Sequence, residues 1–232
     1  MSRRPLTGLL LALVLLIAGC ATPPQPPIDL SPEHAGRAKG SRVGVAVSAL
    51  PKPDTQFPGA GCLLCIAIAS ANHSALTAHV QKLGTSELDP LKSDLVKLLN
   101  ARGMQAVAIE APLDVAAMPD RRDAPAGQAR KDFSALKARH GIDRLLVVDV
   151  QSLGVWRSYS GYIPQGAPRA VVNGSALLVD LGSHALEWYV PLDIGRAAEG
   201  EWDEPPRFPG LTNAYYQALE LALDKVRKPF QK

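Results

Sequence analysis

The chain has 232 residues, 25 lysines and arginines against 22 aspartates and glutamates, a net charge of +3, and 47% hydrophobic residues. That is the size of one ordinary domain, large enough for a proper core. No basic tract occurs and no interleaving of aromatic with basic residues, which argues against nucleic acid as a partner.

The chain opens Met1-Ser2-Arg3-Arg4 and then runs apolar through residues 9–17. A short positive region followed by a short apolar one is the layout of a secretory signal, too short to span a bilayer comfortably as a permanent helix. The next residues, Ile17-Ala18-Gly19-Cys20, resemble the lipobox of bacterial lipoproteins. That resemblance implies an export signal over residues 1–19, cleavage before Cys20, a diacylglycerol on the Cys20 sulfur and an acyl group such as palmitate on its new amino group. Ala21 stands where lipoproteins retained in the inner membrane commonly carry Asp, so the implied location is the outer membrane, on its periplasmic face. No other cofactor is implied. Removing residues 1–19 takes away Arg3 and Arg4 and no acid, leaving 23 cations against 22 acids. Cys62 and Cys65 then remain as an even pair in an oxidising compartment, a candidate disulfide.

Residues 20–42 hold Pro23, Pro24, Pro26, Pro27 and Pro32 with few large apolar residues, and read as an extended tether behind the lipidated cysteine. A single domain is expected over residues 43–228. It begins with the period-two strand Val43-Gly44-Val45-Ala46-Val47. Asp89-Pro90 then reads as a cap with proline at the first helical position. Leu91, Leu95, Leu98 and Leu99 share the face of that helix, Gly103 ends it, and residues 105–110 form a strand. The same grammar returns with Phe133, Leu136 and His140 on one helical face, Gly141 as the cap, and residues 145–150 as a buried strand. Two helix–glycine–strand units after an opening strand argue for right-handed crossovers and a parallel start to the sheet. Residues 169–180 and 185–190 then read as a β-hairpin, with Leu186, Trp188 and Val190 on one face. A loop over residues 195–209 leads to a last helix from Thr212, whose stripe is Leu211, Tyr215, Ala218, Leu219, Ala222 and Val226. The expected fold class is α/β: a mixed sheet, parallel at its start and closed by an antiparallel hairpin, with three to four packing helices.

The strand at residues 145–150, the Gly/Tyr loop after it, Leu177-Leu178-Val179-Asp180 before a turn, and Leu186-Glu187-Trp188 are together similar to a group of small envelope lipoproteins. The group comprises the curli secretion lipoprotein, the penicillin-binding-protein activator lipoproteins and the amino-terminal domain of the Tol-Pal β-propeller protein. The resemblance covers roughly residues 43–228 and implies a periplasmic α/β domain that works by protein contact and is not catalytic. The chain lacks two alternating membrane hairpins of the curli secretion kind, so a pore is not implied.

No Asp, Glu, Lys or Arg occurs between Asp54 and Lys82, and Phe57 to Ala69 is the most apolar part of the mature chain. Cys62-Leu63-Leu64-Cys65 at a helix start after a strand permits a thiol-redox site, although nothing but the helix terminus is placed to lower a thiol pKa. A metal site would add His73 and His79. With residues 62–80 as one helix, Cys65 and His73 stand about 12 Å apart at 1.5 Å per residue, so one ion would require a break near Asn72-His73-Ser74. The stretch otherwise serves as a buried core helix or as a contact surface for lipid or a partner, in which Leu63, Leu64, Ile66 and Ile68 are the exposed candidates. Trp156, Tyr159 and Tyr162 decorate an aromatic, glycine-rich loop that reads as a second contact surface.

Ser134-Ala135-Leu136-Lys137 has Ser-x-x-Lys spacing but lacks the accompanying Ser-Asp-Asn and Lys-Thr-Gly elements. Gly59-Ala60-Gly61 lacks a third glycine, and Asp149 has no identifiable partner carboxylate. The reading is therefore a lipid-anchored, non-catalytic accessory or assembly component with an envelope protein partner or a second copy of itself. The alternatives are a carrier or sensor for a lipid or other apolar ligand, and a thiol-redox enzyme.

Overall fold

The computed structural model describes residues 24–231, so the export signal and Cys20 lie outside the described residues. Strand β1 (Arg42–Val47) is central because its alternating Val43, Val45 and Ala46 are buried on both faces. It pairs in parallel with β3 (Gln105–Ala108) on one side and with β4 (Arg144–Trp156) on the other. Strand β4 continues antiparallel into β7 (Arg169–Asp180) and β7 into β8 (Leu186–Ala197). The order is β3-β1-β4-β7-β8, with the short β2 (Asp54–Gln56) added in parallel to the far end of β4. This is the mixed α/β sheet expected, a parallel start closed by an antiparallel hairpin.

Six α-helices accompany it among the described residues. The first, α1, is Pro32–Arg37. Two helices, α2 (Leu63–Asn72) and α3 (Ser74–Val80), follow β2. Next comes α4 (Leu91–Ala101), which buries Leu91, Leu95 and Leu99 on one face of the sheet beside α6 (Pro209–Arg227). Asp89 does not cap α4: a 3-10 turn at Ser86–Leu88 runs directly into it, and no side chain caps its first turn. The stripe expected on α6, from Leu211 to Val226, is buried throughout, with Tyr215 reaching the Gly84 carbonyl at 3.0 Å. On the opposite face α5 (Ala135–His140) ends at Gly141 with φ +59 and packs Leu136 with Phe133, Leu145, Val147 and Val179.

Strand β4 is longer than the expected six residues. A bulge between Val150 and Ser152 shifts its register, after which Leu153 and Val155 resume burial and carry the strand on to Trp156. The extension is what receives β2. Ser48 bridges the gap between β1 and β2, its N–H donating to Val148 O at 2.9 Å and its Oγ accepting from Val150 N–H at 3.0 Å. Gly154, at φ +130, lies so close to Asp54 that any Cβ would collide with its backbone.

A second bulge corrects the expected hairpin face. Leu178 pairs with Trp188 and Val179 with Leu186, so Glu187 is the extra residue. Leu186 accordingly packs beneath the sheet, while Trp188 packs above it against Phe230. Glu187 is buried and forms a two-pronged ion pair with Arg144, at 2.8 and 3.0 Å.

The proline-rich segment also differs from an extended tether reaching to residue 42. Ile28 exchanges both backbone hydrogen bonds with Tyr189 at 2.9 Å, covering the free edge of β8. Ser31 then caps α1 by accepting from His34 N–H, and Leu30 and Ala38 join the core. Three small apolar contacts and one cap are enough to fold what composition alone marks as linker. Pro24 and Gln25 lie in a depression with Asp149, Gln151 and Ser175 on the lower face of the sheet.

Candidate functional site: an exposed apolar helix and hairpin

The far end of β4 and β2 builds a platform that the rest of the sheet does not share. After β2 the chain turns through Phe57-Pro58-Gly59, where Tyr159 N–H donates to Pro58 O at 2.7 Å and Gly161 N–H to Gly59 O at 3.2 Å. Cys62 then caps α2, its Sγ accepting from Cys65 N–H at 3.0 Å. Cys62 and Cys65 are joined by a disulfide, with their Cα atoms 5.0 Å apart.

Helix α2 touches the domain along one narrow line. Only Cys65 and Ala69, four residues apart, are buried, against Ala60, Tyr159 and Phe57. The rest of its apolar surface faces outward: Leu63 is 89% exposed, Leu64 60%, Ile66 45% and Ile68 38%. The buried-core option for these four residues is overturned, because a helix apolar on every side can hide just the side that meets the platform. A single helix over residues 62–80 is not formed either. The chain breaks at His73, and α3 leaves at 75° to α2, burying Leu76 and Val80 against Val155, Phe208 and Leu211.

A small hairpin made of β5 (Tyr159–Ser160) and β6 (Ile163–Pro164) lies beside the start of α2. Its tip exposes Tyr162 (55%) and Ile163 (65%), and the Tyr162 hydroxyl is 4.0 Å from Cys62 Sγ. Eight large apolar residues are exposed among the described residues, and six of them are in this helix and hairpin tip. Scattered exposed apolar residues are ordinary, whereas a concentration of this kind marks a contact surface.

The three loop aromatics separate. Tyr162 is at the surface as expected. Tyr159 is buried instead, because its ring forms the floor under Cys65 and Ala69. Trp156 is half-buried at the end of β4, paired with Gln56 and Arg169 in the sheet rather than placed in a loop. Sequence reading missed Arg157 and Trp202, and it named His73 as a candidate metal ligand and Phe57 only as part of the apolar run; these four hold the platform together. The His73 ring stacks on Phe57 at 5.7 Å and meets Trp202 edge-on at 6.1 Å, and its Nε2 is hydrogen-bonded to the Tyr159 hydroxyl at 3.0 Å. The Arg157 guanidinium lies over Trp202, 4.5 Å from the ring centre. Burial, reinforced by the Arg157 charge and opposed by Asp203, holds His73 below its ordinary pKa. Burial and Lys82 do the same to His79, whose Nε2 is 2.8 Å from Thr212 Oγ1. Both imidazoles are therefore biased toward the neutral form, so neither histidine adds a charge to the run.

The histidines brace the helix pair. With both cysteines in a disulfide, neither thiolate is free to ligate, and no group of three His, Cys, Asp or Glu suited to a metal ion occurs among the described residues. Ser134 and Lys137 are exposed at one end of α5. Asp149 accepts from the Gln151 amide at 2.9 Å on the lower face, remote in the sheet from α2.

No protein-family model matches the chain, and no curated protein matches it in sequence. Among solved structures it is similar to the PelC dodecamer from Paraburkholderia phytofirmans, at 16% identity over 90% of this chain and 96% of that one, with a TM-score of 0.34. A DUF330 protein from Xanthomonas campestris matches at 15% identity over 83% and 85% of the two chains, with a TM-score of 0.39. The lipoprotein GNA1162 from Neisseria meningitidis matches at 16% identity over 80% and 99%, with a TM-score of 0.27. At these identities and scores the likeness assigns no function.

Proposed function

We propose that this chain is a lipid-anchored envelope component that works by contact rather than by catalysis. In this reading Cys20 carries the diacylglycerol and acyl groups and holds the domain on the periplasmic face of the outer membrane. The surface of α2 and the β5–β6 hairpin is where the domain meets another component of the envelope. The observation that carries the reading is the concentration of Leu63, Leu64, Ile66, Ile68, Tyr162 and Ile163 on one uncharged surface. Burying such a surface gains free energy in proportion to its area and needs no reacting group. A carrier with an enclosed apolar site fits less well, because Cys65 and Ala69 already close the inner side of α2 and leave only its outer side for a ligand.

Two measurements test the two halves of the proposal. Intact mass of the protein from cells should show a chain beginning at an acylated Cys20, and Cys20→Ala should retain the signal. A photo-reactive residue at position 64 should crosslink to an envelope component in living cells far more than one at position 220, an exposed site on α6. An unacylated mature chain defeats the anchor, and equal crosslinking at the two positions defeats the contact surface.

A further inference from the structure

We infer that the apolar surface of α2 and the β5–β6 hairpin rests in the same lipid leaflet that receives Cys20, so that the domain is held to the membrane at two points. The inference rests on the reading of Cys20 as the anchor and names what the contact surface meets.

Reach ties the two points together. The free length of chain between the anchor and the fold is short, since Ile28 is already paired with Tyr189. Eight residues separate Cys20 from Ile28, at most about 28 Å of extended chain. Pro24, which borders the depression with Asp149 and Gln151, is four residues or at most about 14 Å of extended chain from Cys20. From Asp149 to Trp156, where β2 hands over to the α2 platform, β4 runs seven residues, roughly 23 Å at strand spacing. The reach of the chain from Ile28 to Cys20 matches that span, which lets one leaflet receive the lipidated cysteine and the exposed side of α2. A tether extended from residue 20 to 42 would have left the domain free to stand off; the folded one does not.

The chemistry of α2 also suits lipid. Residues 55–81 carry no Asp, Glu, Lys or Arg, so bringing α2 to the hydrocarbon boundary desolvates no formal charge. The apolarity is graded along the helix. Leu63, Leu64, Ile66 and Ile68 fall in its first six residues, and Ser70 and Asn72 follow before the His73 cap. Cys62 Sγ already takes the Cys65 N–H, so one of the first-turn donors is satisfied within the chain. Tyr162 at the hairpin tip adds an amphipathic ring of the kind enriched at headgroup depth, with Ile163 beside it.

The test uses the full mature chain with Cys20→Ser, which bears no lipid, floated with vesicles of phosphatidylethanolamine and phosphatidylglycerol. The chain should co-float, and added salt should change the bound fraction little. Leu64→Asp and Ile163→Asp, on two different elements, should each weaken vesicle binding by about tenfold or more, consistent with the cost of an acid in an apolar layer. Unchanged thermal unfolding of both variants shows that they fold. Absence of co-floating, or co-floating that neither substitution weakens, overturns the inference. So does a stable dimer of the Cys20→Ser chain that Leu64→Asp converts to monomer, which assigns the surface to a second copy. Failure of the anchor is read separately: an unacylated Cys20 in the cellular protein removes the anchor, while vesicle binding reports on α2 alone.

Discussion

Two acidic substitutions five residues apart on α2 should have opposite fates. Leu64 stands at the second helical position after the Cys62 cap and is 60% exposed. Replacing it with Asp loses the remaining burial, about 1 kcal/mol as a share of the 1.5–3 kcal/mol for a fully buried leucine. Helix propensity costs roughly a further 0.5 kcal/mol, and the negative charge in the first turn returns about 0.3–1 kcal/mol. The net effect is about 1 kcal/mol or less. Ala69 is fully buried among Cys65, Ala60 and Tyr159. An aspartate there puts an unpaired carboxylate into the buried line between the helix and the platform, a cost of several kcal/mol. The helix escapes that cost by undocking, because the sheet does not depend on it. Urea unfolding followed by hydrogen exchange reads both effects. Leu64→Asp should keep its midpoint, while Ala69→Asp should speed exchange across residues 62–73 and leave β4, β7 and β8 protected. If Leu64→Asp destabilises the chain as much as Ala69→Asp, the outer face of α2 is buried and the contact surface does not exist.

Glu187→Ala leaves the Arg144 guanidinium buried with Asp180, 3.7 Å away, and the neighbouring Asp143 to balance it. A loss of about 3–5 kcal/mol in urea unfolding is expected, whereas Arg144→Met with Glu187→Met should recover most of it; a double variant as unstable as the single one refutes the account. Acidification should loosen the α2–α3 corner. His73 and His79 lie below their ordinary value of 6.5, so the stability they contribute is complete above that pH and is lost as pH falls through their lowered folded values. Exchange protection at residues 70–80 should therefore fall below about pH 6.5, and His73→Gln should flatten that dependence; an unchanged slope removes His73 from the cause.

The elements whose hydrophobic period agrees with their neighbours were legible in the chain. The alternation of β1, the Leu91-Leu95-Leu99 stripe of α4, the Gly141 stop after α5 and the stripe of α6 each state their own burial. What was hidden depends on partners distant in sequence. Nothing in Gln151-Ser152-Leu153-Gly154 reads as strand until the bulge restores the register, and β2 is a strand only because β4 extends far enough to meet it. Glu187 reads as a solvent residue between Leu186 and Trp188, yet the bulge turns it inward to Arg144. The candidate surface was half legible. Its residues were identified from their apolarity, but apolarity does not say which side of a helix faces water.

How ten residues stay helical with two side chains buried is the remaining physical question. Helices shorter than about 12–15 residues are marginal alone, and a line through Cys65 and Ala69 is a small anchor for one. Both ends are instead fixed independently. At the start, the Cys62–Cys65 bond closes a four-residue loop, a constraint of roughly 2 kcal/mol on the unfolded segment in the chain-entropy account. At the finish, His73 is held among Phe57, Tyr159 and Trp202, so the chain turns into α3 at a set angle. Clamping the ends releases the middle from any need to pack inward. That is the arrangement by which a fold can afford to point Leu63, Leu64, Ile66 and Ile68 away from its own core, and it gives the disulfide a role in presenting a surface without requiring any thiol chemistry.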